Sequence, residues 1–250
     1  MLNFDMAFTI ACSIYKGGEG KTTLAAHVVY AGQARGLRVL AVDIDKQGNL
    51  FKWLTRGDGV PRDGVLTEVS PTLTVLFAPG AVPVLPTGFD LVVIDVPPEG
   101  AAVTADRWLV PVSCRMALDG AASTCAEANG DVLLVLNKFN VGGIGTTAAL
   151  RGAVQRINAT GLLTVMEIPE SAAILRAGEL FIPAWEGPYG KDTPGVKALR
   201  AVLDRALTGV APSRKTGPER STAKRPMEIP PPGPIPVHRP PTASGTGRSR

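Results

Sequence analysis

A glycine-rich loop near the start of the chain constrains the fold more than any other feature. It reads Ser-Ile-Tyr-Lys-Gly-Gly-Glu-Gly-Lys-Thr-Thr over residues 13–23, and an apolar, β-prone run at residues 7–14 leads into it. Residues 21–35 follow with apolar side chains at helical spacing, and Gly36 is the expected stop. The order strand, glycine loop, helix predicts a phosphate-binding loop, because glycines let successive N–H groups surround an anion at the positive end of a helix.

The loop carries one lysine more than the common pattern of Gly, four residues and Gly-Lys-Ser/Thr. Tyr15 stands where the first glycine is expected, and Lys16 follows it. Lys21 is expected to reach the β- and γ-phosphates, and the Thr22 hydroxyl to bind Mg²⁺. Two lysines on one small loop predict a high positive charge around one polyphosphate. Glu19 lies between them; it is harmless if its carboxylate points to solvent, and it repels phosphate if the carboxylate points inward.

Acidic side chains follow two further apolar strands. Residues 38–43 form a predicted strand that ends in Asp43, with Asp45 two positions further on, and residues 91–95 form another that ends in Asp95. An open parallel sheet holds its ligand at the carboxyl ends of its strands, and Mg²⁺ takes oxygen ligands. The sequence therefore predicts a metal-bound phosphate site at this edge.

Alternating apolar strands and helical stretches predict an α/β fold: a single doubly wound, mostly parallel sheet with helices on both faces. Residues 1–209 are expected to form this one domain. No run of 18 apolar residues and no signal peptide is found, so no membrane partner is expected. Three cysteines without paired spacing predict buried, reduced thiols in a cytoplasmic protein. They are Cys12, Cys114 and Cys125.

Residues 210–250 differ in kind from the rest of the chain. They hold ten prolines, and their eight Lys and Arg residues against two Glu give +6, whereas the whole chain carries +4. Such a segment buries too little surface to fold, so a disordered tail is predicted. It is either a solvated tail without function, a weak contact for nucleic acid, or a docking segment for a partner protein. It has no amphipathic membrane helix.

Several segments resemble the ParA/MinD superfamily, closest to ParA-type partition ATPases. Residues 16–23 are similar to its deviant Walker A box, and residues 94–98 to its Walker B segment. Residues 42–49 resemble the ParA segment Val-Asp-x-Asp-Pro-Gln-Gly-Asn, with Lys46 in place of the proline. Weaker similarities lie at residues 109–112, 134–138, 168–170 and 177–178. The resemblance covers roughly residues 6–207.

The resemblance implies a role for each matching residue. Lys16 would reach across a sandwich of two copies to the partner's nucleotide, Asp45 would position the attacking water, and Asn137 would contact adenine. The implied catalytic residues are Lys16, Lys21 and Asp45. The implied nucleotide-binding residues are Lys16, Gly17, Gly18, Glu19, Gly20, Lys21, Thr22, Thr23, Asn137 and Pro169. The implied metal-binding residues are Thr22, Asp43 and Asp95.

The resemblance also implies ATP and Mg²⁺ as ligands, an ATP-sandwich homodimer, and non-specific DNA and a small adaptor protein as partners. The implied function is slow, partner-stimulated ATP hydrolysis in plasmid or chromosome partition or cargo positioning, in the cytoplasm on the nucleoid; conjugation is one such setting. The basic residues implied to face DNA are Arg151, Arg156, Arg176, Lys191, Lys197, Arg200 and Arg205. Two alternatives stay open. One is an ATP-binding dimerisation module with little turnover, suggested by Glu19, and the other is a small-molecule enzyme of the dethiobiotin-synthetase kind.

Overall fold

The computed structural model describes residues 7–139, 152, 153, 155–157, 159, 163–187, 190 and 192–212. The strands are β1 (Phe8–Cys12), β2 (Val39–Asp43), β3 (Leu66–Ser70), β4 (Leu73–Phe77), β5 (Leu91–Asp95), β6 (Arg107–Val112), β7 (Asp131–Phe139) and β8 (Thr164–Pro169). The helices are α1 (Lys21–Ala34), α2 (Asn49–Leu54), α3 (Ala117–Glu127), α4 (Ala172–Leu180) and α5 (Pro194–Ala206). The predicted tail at residues 210–250 lies outside the described residues from residue 213 onward.

The strands form one eight-stranded sheet in the order β3-β4-β2-β5-β1-β6-β7-β8. The pairs from β4 to β8 are parallel, and among the described strands β3 at the edge is the one that runs antiparallel to its neighbour. β1 lies between β5 and β6, so the loop after β1 emerges in the middle of the sheet. The predicted mostly parallel α/β sheet is confirmed.

Both faces of the central strands are buried, because side chains alternate along a strand and helices cover both sides. Ile10 and Cys12 of β1 belong to a core shared with helices α1, α2, α4 and α5. Ala11 points the other way, into a second core that includes Ala117 and Ala121 of α3. The prediction of helices on both faces is confirmed. Of the three cysteines only Cys12 is buried, so the prediction of a buried thiol is wrong for Cys114 and Cys125, which are partly exposed.

The glycine-rich loop leads directly into α1, as the sequence predicts. Gly20 caps the helix with a φ of 103°, in the left-handed region that favours glycine. A Cβ at this position would also clash with the side-chain amide of Asn137. α1 ends at Ala34, and Gly36 follows with a φ of 74°. No helix in the described part of the chain is long and apolar enough to cross a membrane.

A buried arginine joins the end of α5 to the sheet. Arg107 at the start of β6 donates from Nη1 to the carbonyl oxygens of Arg205, Ala206 and Thr208 at 3.1, 2.6 and 3.2 Å. Its Nε also donates to Asp131 at 2.9 Å. The last carbonyls of a helix have no partner within the helix and carry partial negative charge. Arg107 therefore fixes α5 against the amino-terminal edge of the sheet.

Replacing Arg107 with Met is expected to lower the free energy of unfolding by about 2–4 kcal/mol, since three carbonyls and a carboxylate lose a buried charged donor. Urea denaturation followed by circular dichroism measures this change. Arg205→Met is the matched control, because Arg205 contacts the same Asp131 at 3.4 Å with a side chain that is 36% exposed, against 9% for Arg107. Its cost should stay within about 1 kcal/mol. Equal costs for the two variants would contradict this account.

Candidate functional site

The glycine-rich loop and the predicted acids meet at the carboxyl edge of three adjacent strands. In the sheet register, Cys12 at the end of β1 pairs with Asp95 at the end of β5, and Asp95 also pairs with Asp43 at the end of β2. The loop starts at Ser13, directly after β1. The structure thus brings together the loop, Asp43 and Asp95, which lie far apart in the sequence.

Thr22 and Asp95 form the centre of this site. The Thr22 hydroxyl donates to Asp95 Oδ2 at 2.6 Å. Asp95 is 1% exposed, and its Oδ1 accepts no hydrogen bond from any described residue. Burial raises the pKa of Asp95 to about 8; the Thr22 hydrogen bond lowers it, and the charge of Asp43 raises it further. The positive charge of Lys21 also lowers this pKa, so Asp95 is a buried acid beside a lysine, with one oxygen unpaired among the described residues.

This arrangement fits a magnesium ion. A hydroxyl and a carboxylate are oxygen ligands of the kind Mg²⁺ takes, and the remaining ligands usually come from phosphates and water. The unpaired Oδ1 of Asp95 is a buried acceptor that a cation or its water would satisfy. Thr22 and Asp95 are the residues that would hold the ion.

Asp43 organises the segment that follows β2. Its Oδ2 accepts the Phe51 N–H of α2 at 2.8 Å, and its Oδ1 accepts the Asp45 N–H at 3.1 Å. Burial raises the pKa of Asp43 to about 6, and these backbone hydrogen bonds oppose the rise. Asp45 itself is half-buried and accepts the Gln47 N–H at 2.9 Å. Asp43 thereby fixes both the start of α2 and the turn that carries Asp45; its place among the metal-binding residues stays a prediction.

Lys21 lies inside the loop. It is buried, and its Nζ donates to the Lys16 carbonyl oxygen at 3.0 Å. Burial lowers the pKa of Lys21, and the negative charges of Asp95, Asp45 and Glu19 oppose that decrease. The ammonium is therefore placed at the centre of the loop with acids on several sides.

The Glu19 side chain is buried and does not point to solvent. Its Oε2 accepts the Ser113 N–H at 2.6 Å, and its Oε1 lies 3.2 Å from Lys16 Nζ. The same Lys16 nitrogen donates to Cys114 Sγ at 2.8 Å. The contacts with Cys114 and then Glu19 raise the pKa of Lys16. The Lys16 ammonium and the Glu19 carboxylate are thus both held at the segment between β6 and α3.

The ends of β7 and β8 close the other side of the loop. Asn137 donates from Nδ2 to the Glu19 carbonyl at 2.7 Å, and Lys138 Nζ donates to the Gly18 carbonyl at 2.6 Å. A cavity of about 140 Å³ opens here, lined in part by Thr23, Asn137 and Pro169. Three predicted nucleotide-binding residues therefore share one cavity beside the loop. Gly17 and Gly18 lie exposed at the loop's tip.

Sequence reasoning missed the residues that hold the loop from outside. Ser113 and Cys114 follow β6, and Lys138 lies near the end of β7, so all three sit at the carboxyl edge where ligand sites are expected. Their position directly after or at the end of a strand could have indicated that they lie near the site. Tyr15 is also fixed from outside, because its hydroxyl donates to Glu127 of α3, an interaction that raises the pKa of Tyr15.

This fold and site define a P-loop nucleotide-binding protein: a glycine loop between a central strand and a helix, a Lys-Thr pair at the helix start, and a carboxylate on the neighbouring strand. Residues 10–184 match the model of the family described as the CobQ/CobB/MinD/ParA nucleotide binding domain. The match covers more than half of the chain, and the chain belongs to this family. The resemblance to the ParA/MinD superfamily is confirmed, and this is a family of ATPases.

Two curated relatives match shorter stretches. The chromosome-partitioning ATPase Soj of Thermus thermophilus is 32% identical over 148 residues, covering 47% of this chain and 59% of Soj. Maintenance of carboxysome distribution protein A of Gloeobacter kilaueensis is 37% identical over 92 residues, covering 36% of this chain and 39% of that protein. The chain thus spans 39% to 59% of the length of these two relatives.

Solved structures share the fold. Apo McdA from Cyanothece has a TM-score of 0.63 at 17% identity, covering 81% of this chain and all of that one (100%). MinD complexed with Mg-ADP from Pyrococcus horikoshii has a TM-score of 0.59 at 21% identity, covering 82% of this chain and 98% of that one. At these identities the likeness establishes the architecture alone.

The raised pKa of Asp95 predicts a pH-dependent stability. Because its pKa in the fold is about 8 and the ordinary value is 3.8, its contribution to stability is full below about pH 4 and is lost as the pH rises through 8. Asp95→Asn removes this loss. In nucleotide-free protein, the free energy of unfolding of the variant relative to wild type should rise between pH 4 and pH 8 by a few kcal/mol, as chemical denaturation measures.

The exposed Asp58 supplies the control for this measurement. Asp58→Asn should leave the pH dependence of wild type unchanged. A difference between Asp95→Asn and wild type that stays flat from pH 4 to pH 8 would contradict the raised pKa.

Proposed function

We propose that the chain is an ATP-dependent dimerising switch of the ParA type. In this proposal, ATP and Mg²⁺ close a sandwich of two copies, the dimer binds DNA non-specifically, and slow hydrolysis stimulated by an adaptor protein releases it. The observation that carries the proposal is a second cation, Lys16, on the loop that leads to Lys21 and to the hydrogen-bonded pair of Thr22 and Asp95.

The proposed roles of the loop residues combine their positions with the resemblance to the family. Backbone N–H groups from Gly17 to Gly20 and the Lys21 ammonium would hold the phosphates, and Thr23 would contact the α-phosphate. Asn137 and Pro169 would hold the base in the cavity that they line with Thr23. Magnesium, held by Thr22 and Asp95, would neutralise charge on the phosphates.

Hydrolysis in this proposal depends on Asp45 and Lys16. Phosphoryl transfer needs mainly positioning and charge stabilisation. Asp45, held by the turn that Asp43 fixes, would orient the attacking water. Lys16 of a second copy would supply a cation to the transferred phosphate, so turnover would depend on dimerisation.

A role in partition or positioning is supported by the relatives, which include a chromosome-partitioning ATPase and a carboxysome distribution protein. Among the basic residues implied to face DNA, Lys197 and Arg200 are exposed on α5. Arg205 is less available, because it contacts Asp131 and Thr164. Arg151 and Lys191 lie outside the described residues. We further propose that residues 1–209 act as the ATPase domain and residues 210–250 as a basic tail that strengthens the contact with DNA.

One observation favours a second candidate, a dimerisation module with little turnover. Glu19 is buried and paired with Lys16, so the cation proposed for catalysis is neutralised within its own chain. The small-molecule alternative has weaker support. The family description also names CobQ and CobB, but Lys16 and the segment at residues 43–49 argue against a small-molecule enzyme.

Replacing Asp45 with Ala is expected to keep ATP binding and to lower phosphate release by about 100-fold or more, because the group that orients the attacking water is lost. The ATP-bound dimer should then accumulate. Light scattering with ATP and Mg²⁺ measures the mass, and a phosphate-release assay measures turnover. Lys16→Ala serves as the comparison and should bind ATP without efficient turnover. An ATP-bound monomer of the Asp45→Ala protein would argue against the sandwich.

Removing residues 213–250 is expected to weaken DNA binding and to flatten its dependence on salt, because that segment carries the eight basic residues of the tail. The slope of log affinity against log salt should fall by about 0.9 for each DNA phosphate that the tail neutralises in the full chain. Fluorescence anisotropy with duplexes of unrelated sequence measures both. A matched chain with these eight residues changed to Gln keeps the tail's length. An unchanged slope in that chain would remove the tail's electrostatic role.

A further inference from the structure

The Lys16 ammonium is held on its own chain. Its Nζ lies 3.2 Å from Glu19 Oε1 and donates to Cys114 Sγ at 2.8 Å. A cation that acts on the nucleotide of a second copy has to point away from its own chain. The observed position and the proposed action of Lys16 therefore require two different placements of this side chain.

Of the two partners, Glu19 is the fixed one. Its side chain is 3% exposed, whereas that of Lys16 is 32% exposed. The Ser113 N–H holds the Glu19 carboxylate at 2.6 Å, and Asn137 holds its backbone carbonyl at 2.7 Å. Lys16 is thus the end that can move, and Glu19 stays in place when it does.

Releasing Lys16 leaves a charge that needs compensation. A buried carboxylate is unfavourable without a cation or several hydrogen-bond donors. Without Lys16, the Ser113 N–H remains as the hydrogen-bond donor that the structure gives to this carboxylate, and Lys21 interacts with it electrostatically. In the single chain, the position of Lys16 beside Glu19 and Cys114 is therefore favoured.

We propose that Glu19 is a positioning residue, a latch that holds Lys16 on its own chain and releases it only when the phosphates of a second copy's nucleotide compete for the ammonium. The inference rests on the proposed function, in which Lys16 acts in trans. It goes further by assigning Glu19 a control over that action. Formation of the sandwich then includes breaking the contacts of Lys16 with Glu19 and Cys114, which sets a threshold for dimerisation.

Neighbouring contacts support this assignment. The Tyr15 hydroxyl donates to Glu127, so the residue next to Lys16 is fastened to α3. Lys21 donates to the Lys16 carbonyl, which fixes the backbone of Lys16 from the other side. With its backbone held at both sides, Lys16 changes partners by rotation of its side chain.

Chemical labelling of amines tests the latch without reference to ATP. In nucleotide-free protein, acetylation of Lys16 by acetic anhydride is measured by mass spectrometry, with the exposed Lys46 as internal reference. Glu19→Gln keeps an oxygen for the Ser113 N–H and removes the charge. It should raise the relative labelling rate of Lys16 by about threefold to tenfold and move its pH dependence to lower pH.

The matched control removes the same charge nearby. Glu99 is exposed, and its charge acts on the neighbouring Lys21. Glu99→Gln should leave the labelling of Lys16 unchanged. Equal labelling of Lys16 in wild type and Glu19→Gln, or an equal rise in Glu99→Gln, would overturn the latch. Cys114→Ala gives a second test that leaves Glu19 in place, and it should also raise the labelling of Lys16, because the contact with Sγ is lost.

The consequence for dimerisation is measured in the Asp45→Ala background with ATP and Mg²⁺. Adding Glu19→Gln should lower the protein concentration for half-maximal dimer by about threefold to tenfold, because no ion pair has to break. An unchanged or higher concentration would overturn the threshold. If Asp45→Ala protein does not dimerise, the proposed function fails, and the labelling alone then decides whether Glu19 restrains Lys16.

Discussion

The need to compensate buried charge at the carboxyl edge of the sheet governs this structure. Asp43 ends β2, Asp95 ends β5 and Glu19 lies in the loop after β1, and all three are buried. They differ in their partners: Asp43 accepts backbone N–H groups, Glu19 accepts one N–H and pairs with a lysine, and Asp95 accepts from Thr22 while its Oδ1 has no hydrogen-bond partner among the described residues. The contacts of Asp43 and Glu19 fix neighbouring segments, and the unpaired Asp95 oxygen is the acceptor that fits a cation.

These contacts connect elements that are distant in sequence. Asp43 joins the end of β2 to α2, and Glu19 joins the loop to the segment after β6. Arg107 does the same at the opposite edge, where it binds the end of α5. Each of these three charged side chains has a hydrogen-bond partner on another element. If one element moved away, the charge would stay buried without that partner. Packing of the apolar cores and pairing of charges therefore specify the same arrangement.

Local patterns were enough to predict the loop and the two elements beside it, β1 and α1, whose observed limits differ from the predicted ones by at most two residues. The meeting of Asp43 and Asp95 was also predictable, because parallel strands bring their carboxyl ends to one edge. The direction of the Glu19 side chain was not, since it depends on Ser113 and Cys114, which are nearly a hundred residues away. Likewise nothing local distinguishes Arg107, a charged residue at the start of an apolar strand, as a buried one.

The contact between Asn137 and the Glu19 carbonyl links the two ends of the site. The Asn137 amide holds the backbone of Glu19, and the Glu19 carboxylate lies beside Lys16, so a series of contacts joins Asn137 through Glu19 to Lys16 and Cys114. A change of side chain at Asn137 would therefore reach Lys16 indirectly, through the position of Glu19.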